Sequence, residues 1–180
     1  MGFRPGWVAV AICSLALSSF AFSAQGGCTH KRVFSGEEDP CFDNAPYPPS
    51  IVIAAILKTK DGKEAFDELE SSDRINVAKL FRGLTVHLHS RAQQDMIVRG
   101  DPPMSGGDNT WFWIVASINN HPLAFWVQGN AVTILGTSHR GYADIRTDWA
   151  AGSHRATRVF HFDGNHYKLY KEDYEDLPPN

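Results

Sequence analysis

From Leu84 onward the chain alternates between apolar and polar positions. In "LTVHLHS", Leu84, Val86 and Leu88 fall on one side and Thr85, His87 and His89 on the other, the period of a half-buried strand. Segments of the same kind follow at 95–99, 110–117, 123–128, 131–135, 143–149, 157–163 and 166–171, with turn residues between them. None of these connections is long enough for a helix. The pattern therefore predicts an antiparallel arrangement, a sheet of about seven strands.

Two hairpins stand out. In "FWVQGNAVTIL" the pair Gly129-Asn130 predicts a two-residue turn, with Phe125, Val127, Val132 and Ile134 on one face. In "RVFHFDGNHYKLY" the turn falls at Asp163-Gly164 or Gly164-Asn165. Either choice puts Phe160, Phe162, Tyr167 and Leu169 on one face and Val159, His161, Lys168 and Tyr170 on the other. Trp111-Phe112-Trp113 is apolar on both faces, as a central strand would be, with a sheet on one side and helices on the other.

Upstream the period lengthens. In "PPSIVIAAILK" two prolines block any backward extension and Ser50 is placed to cap a short buried helix. Gly62 is expected to break the chain. "KEAFDELE" then sets Ala65, Phe66 and Leu69 on one helical face, and Asp73 opens a further turn. Before these lies "GGCTHKRVFSGEEDPCFDNAPYPPS", rich in Gly, Pro and Ser, which reads as an extended arm over residues 24–49. The expectation is an α+β fold: the arm and short helices packed on a mainly antiparallel sheet, with residues 50–180 forming one domain.

The start of the chain adds a destination. Arg4 precedes an apolar run from Trp7 to Leu17, and Ala21-Phe22-Ser23 offers a small-x-small cleavage site. That is the form of a secretory signal peptide over residues 1–23. The run is shorter than the roughly 20 apolar residues that span a bilayer, so no membrane span is expected after cleavage. Lipid anchoring at Cys28 is disfavoured, because the preceding residues lack the apolar side chain such sites carry. Cys28 and Cys41 remain once the leader is gone. An even pair in an oxidising compartment, with no CxxC motif, predicts a structural disulfide. Periplasmic or extracellular residence follows from both features.

Composition sets limits on partners. The chain has 180 residues, 43% hydrophobic and 21% charged, and a formal net charge of -3. That balance is globular and gives no electrostatic reason to expect nucleic acid.

Candidate chemistry is sparse. His87-Leu88-His89 places two imidazoles on one side of a strand, a spacing metal sites use. Further ligands would be required, with His139, His161 or a carboxylate as options that spacing cannot select. Trp111 and Trp113 read either as core or as a platform for sugars or an apolar partner. The long loop "DPPMSGGDNT" carries Asp101, Asp108 and Asn109, oxygen ligands of the kind calcium takes but in a spacing unlike an EF-hand; the other reading is a flexible connector. Arg140, Arg146, Arg155 and Arg158 form either a patch for an anionic partner or surface charges answered by the acidic stretch 172–176. No nucleophile, zinc-protease, phosphate-loop or dinucleotide motif occurs, so no catalytic residue or cofactor is assigned.

"GGDNTWFWIV", "GYADIR" and "FHFDGNHYKLY" resemble segments of a group of small, uncharacterised exported bacterial proteins, over about the second half of the mature chain. The resemblance implies export and brings no site residues with it. The function expected from the sequence is a secreted or periplasmic, non-enzymatic binding protein whose partner is a protein or glycan of the cell envelope. Alternatives are an inhibitor or stress protein acting on an envelope hydrolase, and a metal-dependent enzyme built on His87 and His89.

Overall fold

The alternating segments form two sheets, not one. The computed structural model describes residues 28, 31–71, 73–89, 94–105 and 110–176, without the side chains of 73–75. The expected leader, with Cys13, lies outside the described residues, as do Asp108 and Asn109. Strands β1 (Val33–Ser35), β6 (Ala131–His139), β7 (Tyr142–Ala151), β8 (His154–Phe162) and β9 (Tyr167–Asp176) form a five-stranded sheet in that order. Strands β2 (Phe81–Val86), β3 (Asp95–Gly100), β4 (Thr110–Ile118) and β5 (His121–Gly129) form a four-stranded sheet in chain order. All pairings are antiparallel. The expected single sheet of about seven strands is thus corrected to nine strands in two sheets among the described residues.

The division happens at Gly129-Asn130, where the sequence pattern predicts a hairpin. There is none. A two-residue turn of that kind needs positive φ at one or both central residues, and neither Gly129 nor Asn130 has it. Instead β5 stays paired with β4 through Thr110↔Gly129, and β6 pairs with β1 and β7. Asn130 fastens the crossing: its amide donates to Asp148 O, its carbonyl accepts from Gly36 N, and its side-chain oxygen accepts from Ala150 N. A Cβ on Gly129 would lie 2.8 Å from Asp148 O, so glycine here permits close backbone approach. The true primed turns are Asn119-Asn120 and Arg140-Gly141, with φ of 50° and 61°, and 52° and 83°.

The apolar faces then sort themselves. Phe112, Ile114, Val127 and Ile97 of the four-stranded sheet meet Val132, Ile134, Ile145 and Phe162 of the five-stranded sheet in one core. Trp113, Val115, Val98 and Phe81 point the other way, against helices α2 (Ser50–Ile56) and α3 (Lys60–Glu68) and a 3-10 segment (Asp73–Leu80). The layers are helices, four-stranded sheet, five-stranded sheet. Gly62 does not break the chain. It lies inside α3, where its amide donates to the Thr59 hydroxyl and a Cβ would sit 2.3 Å from Ile56 O; the close packing of α3 on the end of α2 requires glycine. No helix among the described residues is long and apolar enough to cross a membrane.

The stretch expected as an extended arm contains β1 and helix α1 (Pro40–Asp43), and its Phe34 and Phe42 are fully buried. The Cys28–Cys41 disulfide closes it, a loop size that stabilises by about 3 kcal/mol in the chain-entropy account. Asp39 organises the same stretch. Its carboxylate accepts from Lys31 Nζ at 2.6 Å, Ser35 N at 2.9 Å and Cys41 N at 3.0 Å. Burial alone would raise this carboxyl; the Lys31 ammonium and the two amides outweigh it and hold it below the usual value of 3.8.

The β8–β9 hairpin forms as the pattern predicts. Phe162 faces Tyr167, and Asp163 N donates to His166 O at 3.0 Å. Phe162 and Tyr167 are buried, but Leu169 is 51% exposed because β9 is an edge strand. Phe162→Ala should cost about 3–5 kcal/mol, and Leu169→Ala under about 1 kcal/mol; denaturant melts check the contrast. For Asp39, a depressed folded value means its stabilisation is complete above the unfolded value and lost as pH falls through the folded one. Wild type should exceed Asp39→Asn by about 1–3 kcal/mol at neutral pH, and in melts the gap should begin to narrow below the unfolded value of 3.8 and close only below the lower folded value.

Candidate metal centre

With the helices and the four-stranded sheet covering one side, the outer face of the five-stranded sheet is left for polar side chains. In its middle lies Asp144, on β7 between β6 and β8. Its side chain is only 1% exposed. Two rings cover it. His139, at the end of β6, places Nδ1 2.7 Å from Asp144 Oδ1. His161, on β8, sits one step beyond the Ile145↔Phe160 pair and places Nε2 3.7 Å from Asp144 Oδ2. The imidazoles stack at 3.6 Å between centroids, inclined by 14°. Tyr170 extends the stack on the far side of His161, at 4.0 Å and 17°.

Two irregularities build this arrangement. Between Ile134 and Ser138, β6 carries three residues opposite the single Asp144 of β7. Between Val159 and Phe160 the register with β9 shifts, and Tyr170 is the extra residue. Bulges of this kind re-aim side chains, and this one brings Tyr170 over His161.

The site's electrostatics are incomplete. Each oxygen of a buried carboxylate calls for a hydrogen-bond donor or a cation. Asp144 Oδ1 has His139; Oδ2 is buried and accepts no hydrogen bond among the described residues. Lys168, opposite His161 in the register, does not fill the gap. Its ammonium is held 2.8 Å from Asp163 Oδ2. That contact, with the amides of Asn165 and His166, keeps the Asp163 carboxyl well below the ordinary range. The neighbouring phenol of Tyr167 donates to Ala143 O at 2.8 Å, and burial pushes it far above its usual range, with Asp95 and Asp144 adding to the shift. It stays protonated.

The ligand atoms of His139, Asp144 and His161 all lie within 4.8 Å of one another. Donors on one tetrahedral ion with bonds of about 2.0–2.2 Å stand about 3.3 Å apart, so binding one ion requires the stacked rings to rotate out of their stack and toward each other. Two imidazoles and one carboxylate suit a first-row transition ion and not calcium or magnesium, which take oxygen ligands. His139 is 48% exposed on its side chain, which leaves the solvent side open for a further ligand.

The residues singled out in the sequence are distributed elsewhere. His87 and His89 are exposed and line a cleft between the sheets; among the described residues they belong to no group of three metal-ligating side chains. His89 stacks on Tyr142 at 4.7 Å. Trp113 is fully buried and Trp111 packs edge-on against it at 6.5 Å. Arg140 is exposed in the β6–β7 turn. Arg146 pairs with Asp148 at 3.0 Å, Arg158 with Glu172, and His154 with Asp176, so acidic residues of β7 and β9 answer much of the basic patch. His139 and His161 are among the options the sequence offers as ligands, but Asp144 is not distinguishable there. What signals it is its place in a meander: a two-residue turn after His139 and a short turn after Ala151 put positions 139, 144 and 161 side by side.

In comparisons with known proteins, no family model, curated protein or solved structure matches the chain.

If Asp144 is held in place for a ligand, its buried charge burdens the empty fold. Asp144→Asn keeps the shape and removes the charge. In chelator-treated solution its unfolding free energy should equal or exceed the wild type's, by up to about 2 kcal/mol. A purely structural aspartate would show a loss of stability in the same denaturant melts.

Proposed function

We propose that this is an exported protein that binds a divalent first-row transition ion, of the zinc type, through His139, Asp144 and His161. The observation that carries the reading is Asp144 Oδ2: a carboxylate oxygen buried among nitrogen donors, with no hydrogen bond of its own. An ion there would replace the proton shared between His139 and Asp144 and satisfy the second oxygen as well. Export is supported by the leader-like start of the chain and by the Cys28–Cys41 disulfide. The protein is read as a binding protein, since no catalytic motif accompanies the ligands.

The test uses disulfide-intact protein stripped of metal, titrated with Zn²⁺ by calorimetry and with Co²⁺ by visible absorption. One ion per chain should bind. His139→Ala, His161→Ala and Asp144→Asn should each weaken binding at least about tenfold, as loss of a ligand or its orienting partner does. His87→Ala and His89→Ala should leave it unchanged. Affinity should fall as pH is lowered, because ligands must shed protons to bind. Absence of saturable binding, or loss of binding in the His87 and His89 variants instead, would overturn the reading.

A further inference from the structure

The cleft that holds His87 and His89 has the opposite chemistry. It encloses about 340 Å³. It is lined by Val86 at the end of β2 and the segment after it to His89, by the bulged part of β6 from Leu135 to Ser138, and by Lys31 and Arg32. Among the described residues, no aspartate or glutamate lines it. Lys31 is neutralised by Asp39 at 2.6 Å. Arg32 is not: among the described residues it pairs with no carboxylate. Arg82, Arg99, Arg146 and Arg158 all do so.

The walls are held in place. Leu88 N and His89 N donate to the buried Asp95 carboxylate at 2.8 and 3.3 Å, and Leu88 O accepts from Ala143 N at 2.6 Å. Leu88 itself is 2% exposed. Across the gap, Leu135, Gly136 and Thr137 have no register partner on β7. The Arg32 guanidinium lies against this bulge; a Cβ built on Gly136 would stand 3.5 Å from its Nη1.

We infer that the cleft binds a small oxyanion, a carboxylate or phosphate group. The Arg32 guanidinium supplies the forked pair of donors, and His87 and His89 supply imidazole N–H donors. Among the described residues the cleft offers this His-x-His pair no carboxylate to complete a cation site, and the unpaired Arg32 guanidinium favours an anion. The inference is independent of the metal reading: it uses different residues on the other side of the β6 bulge.

The experiment is an NMR titration of the metal-free, disulfide-intact protein in physiological salt, which screens diffuse surface attraction. One arm adds inorganic phosphate, the other citrate. Saturable shifts should appear at Arg32 Nε–H, the His87 and His89 rings and the amides of 135–138. A response to phosphate alone or to citrate alone identifies the oxyanion, and either supports the proposal. Arg32→Gln should weaken binding at least about tenfold, equivalent to about 1.4 kcal/mol, with the amide spectrum elsewhere unchanged. Arg155→Gln, an exposed arginine of β8 outside the cleft, should have no effect. The proposal fails if neither anion gives a saturable shift, if Arg32→Gln binds as wild type does, or if the His87 and His89 rings respond only to added Zn²⁺.

Discussion

Strand β4 has no face that tolerates water. Phe112 and Ile114 project from one side and Trp113 and Val115 from the other, and all four are at most 3% exposed. An antiparallel sheet normally keeps one face solvated; here the desolvation demand of a single strand requires cover on both. Helices α2 and α3 with the 3-10 segment meet the tryptophan side, and the five-stranded sheet meets the phenylalanine side. The crossing at Gly129-Asn130 is the covalent consequence, since the chain must leave the sheet it has just completed and start the one that covers it. The order of layers follows, and with it the location of any polar chemistry. The middle of β4 has no surface to offer. The outer face of the five-stranded sheet does.

Both candidate sites sit where that outer sheet departs from regularity. The bulge in β6 lies opposite Asp144, so the carboxylate that His139 and His161 cover belongs to a stretch of β7 with interrupted pairing. The same bulge, on its other side, forms a wall of the basic cleft. Local irregularity that costs pairing energy is expected where side chains are being positioned for a task. The Arg140-Gly141 turn between the two sites is held at positive φ at both residues. His139 enters that turn on the metal side and Gly141 borders the cleft, its ideal Cβ position 3.2 Å from the His89 ring.

The buried carboxylates illustrate how partners decide role. Asp39 and Asp95 are as hidden as Asp144. Asp39 is satisfied by an ammonium and two amides, and Asp95 by the amides of Leu88, His89 and Ser117. Those two close the arm and tie β4 to the segment after β2; they are structural. Asp144 alone of the three has a buried oxygen left without a donor. Burial does not distinguish the candidate ligand from its structural counterparts; hydrogen-bond satisfaction does.

Much of the fold is legible in side-chain period. Alternation places the strands from Leu84 onward, the parity of the β8–β9 hairpin, the helices from Ser50, and the double-sided character of Trp111-Phe112-Trp113, because burial of one face is a local property that repeats along the chain. The cysteine pair is legible for the same reason of simplicity: two candidates allow one intramolecular bond. What alternation cannot encode is which strand a given face lies against. Gly129-Asn130 has the composition of a hairpin turn but the geometry of a crossing, since only packing of the second sheet forces Gly129 against Asp148 O. Leu169 has a core position by parity and an exposed one by being on an edge. His87 and His89 attract notice because they are neighbours in sequence, whereas His139, Asp144 and His161 are neighbours only through the strand order β6-β7-β8. The chain by itself determined its periodicities, its disulfide and its apolar surplus. The tertiary structure decided which faces met, because pairing and layer order are set by the requirement that every apolar face find another, a condition no single segment can satisfy alone.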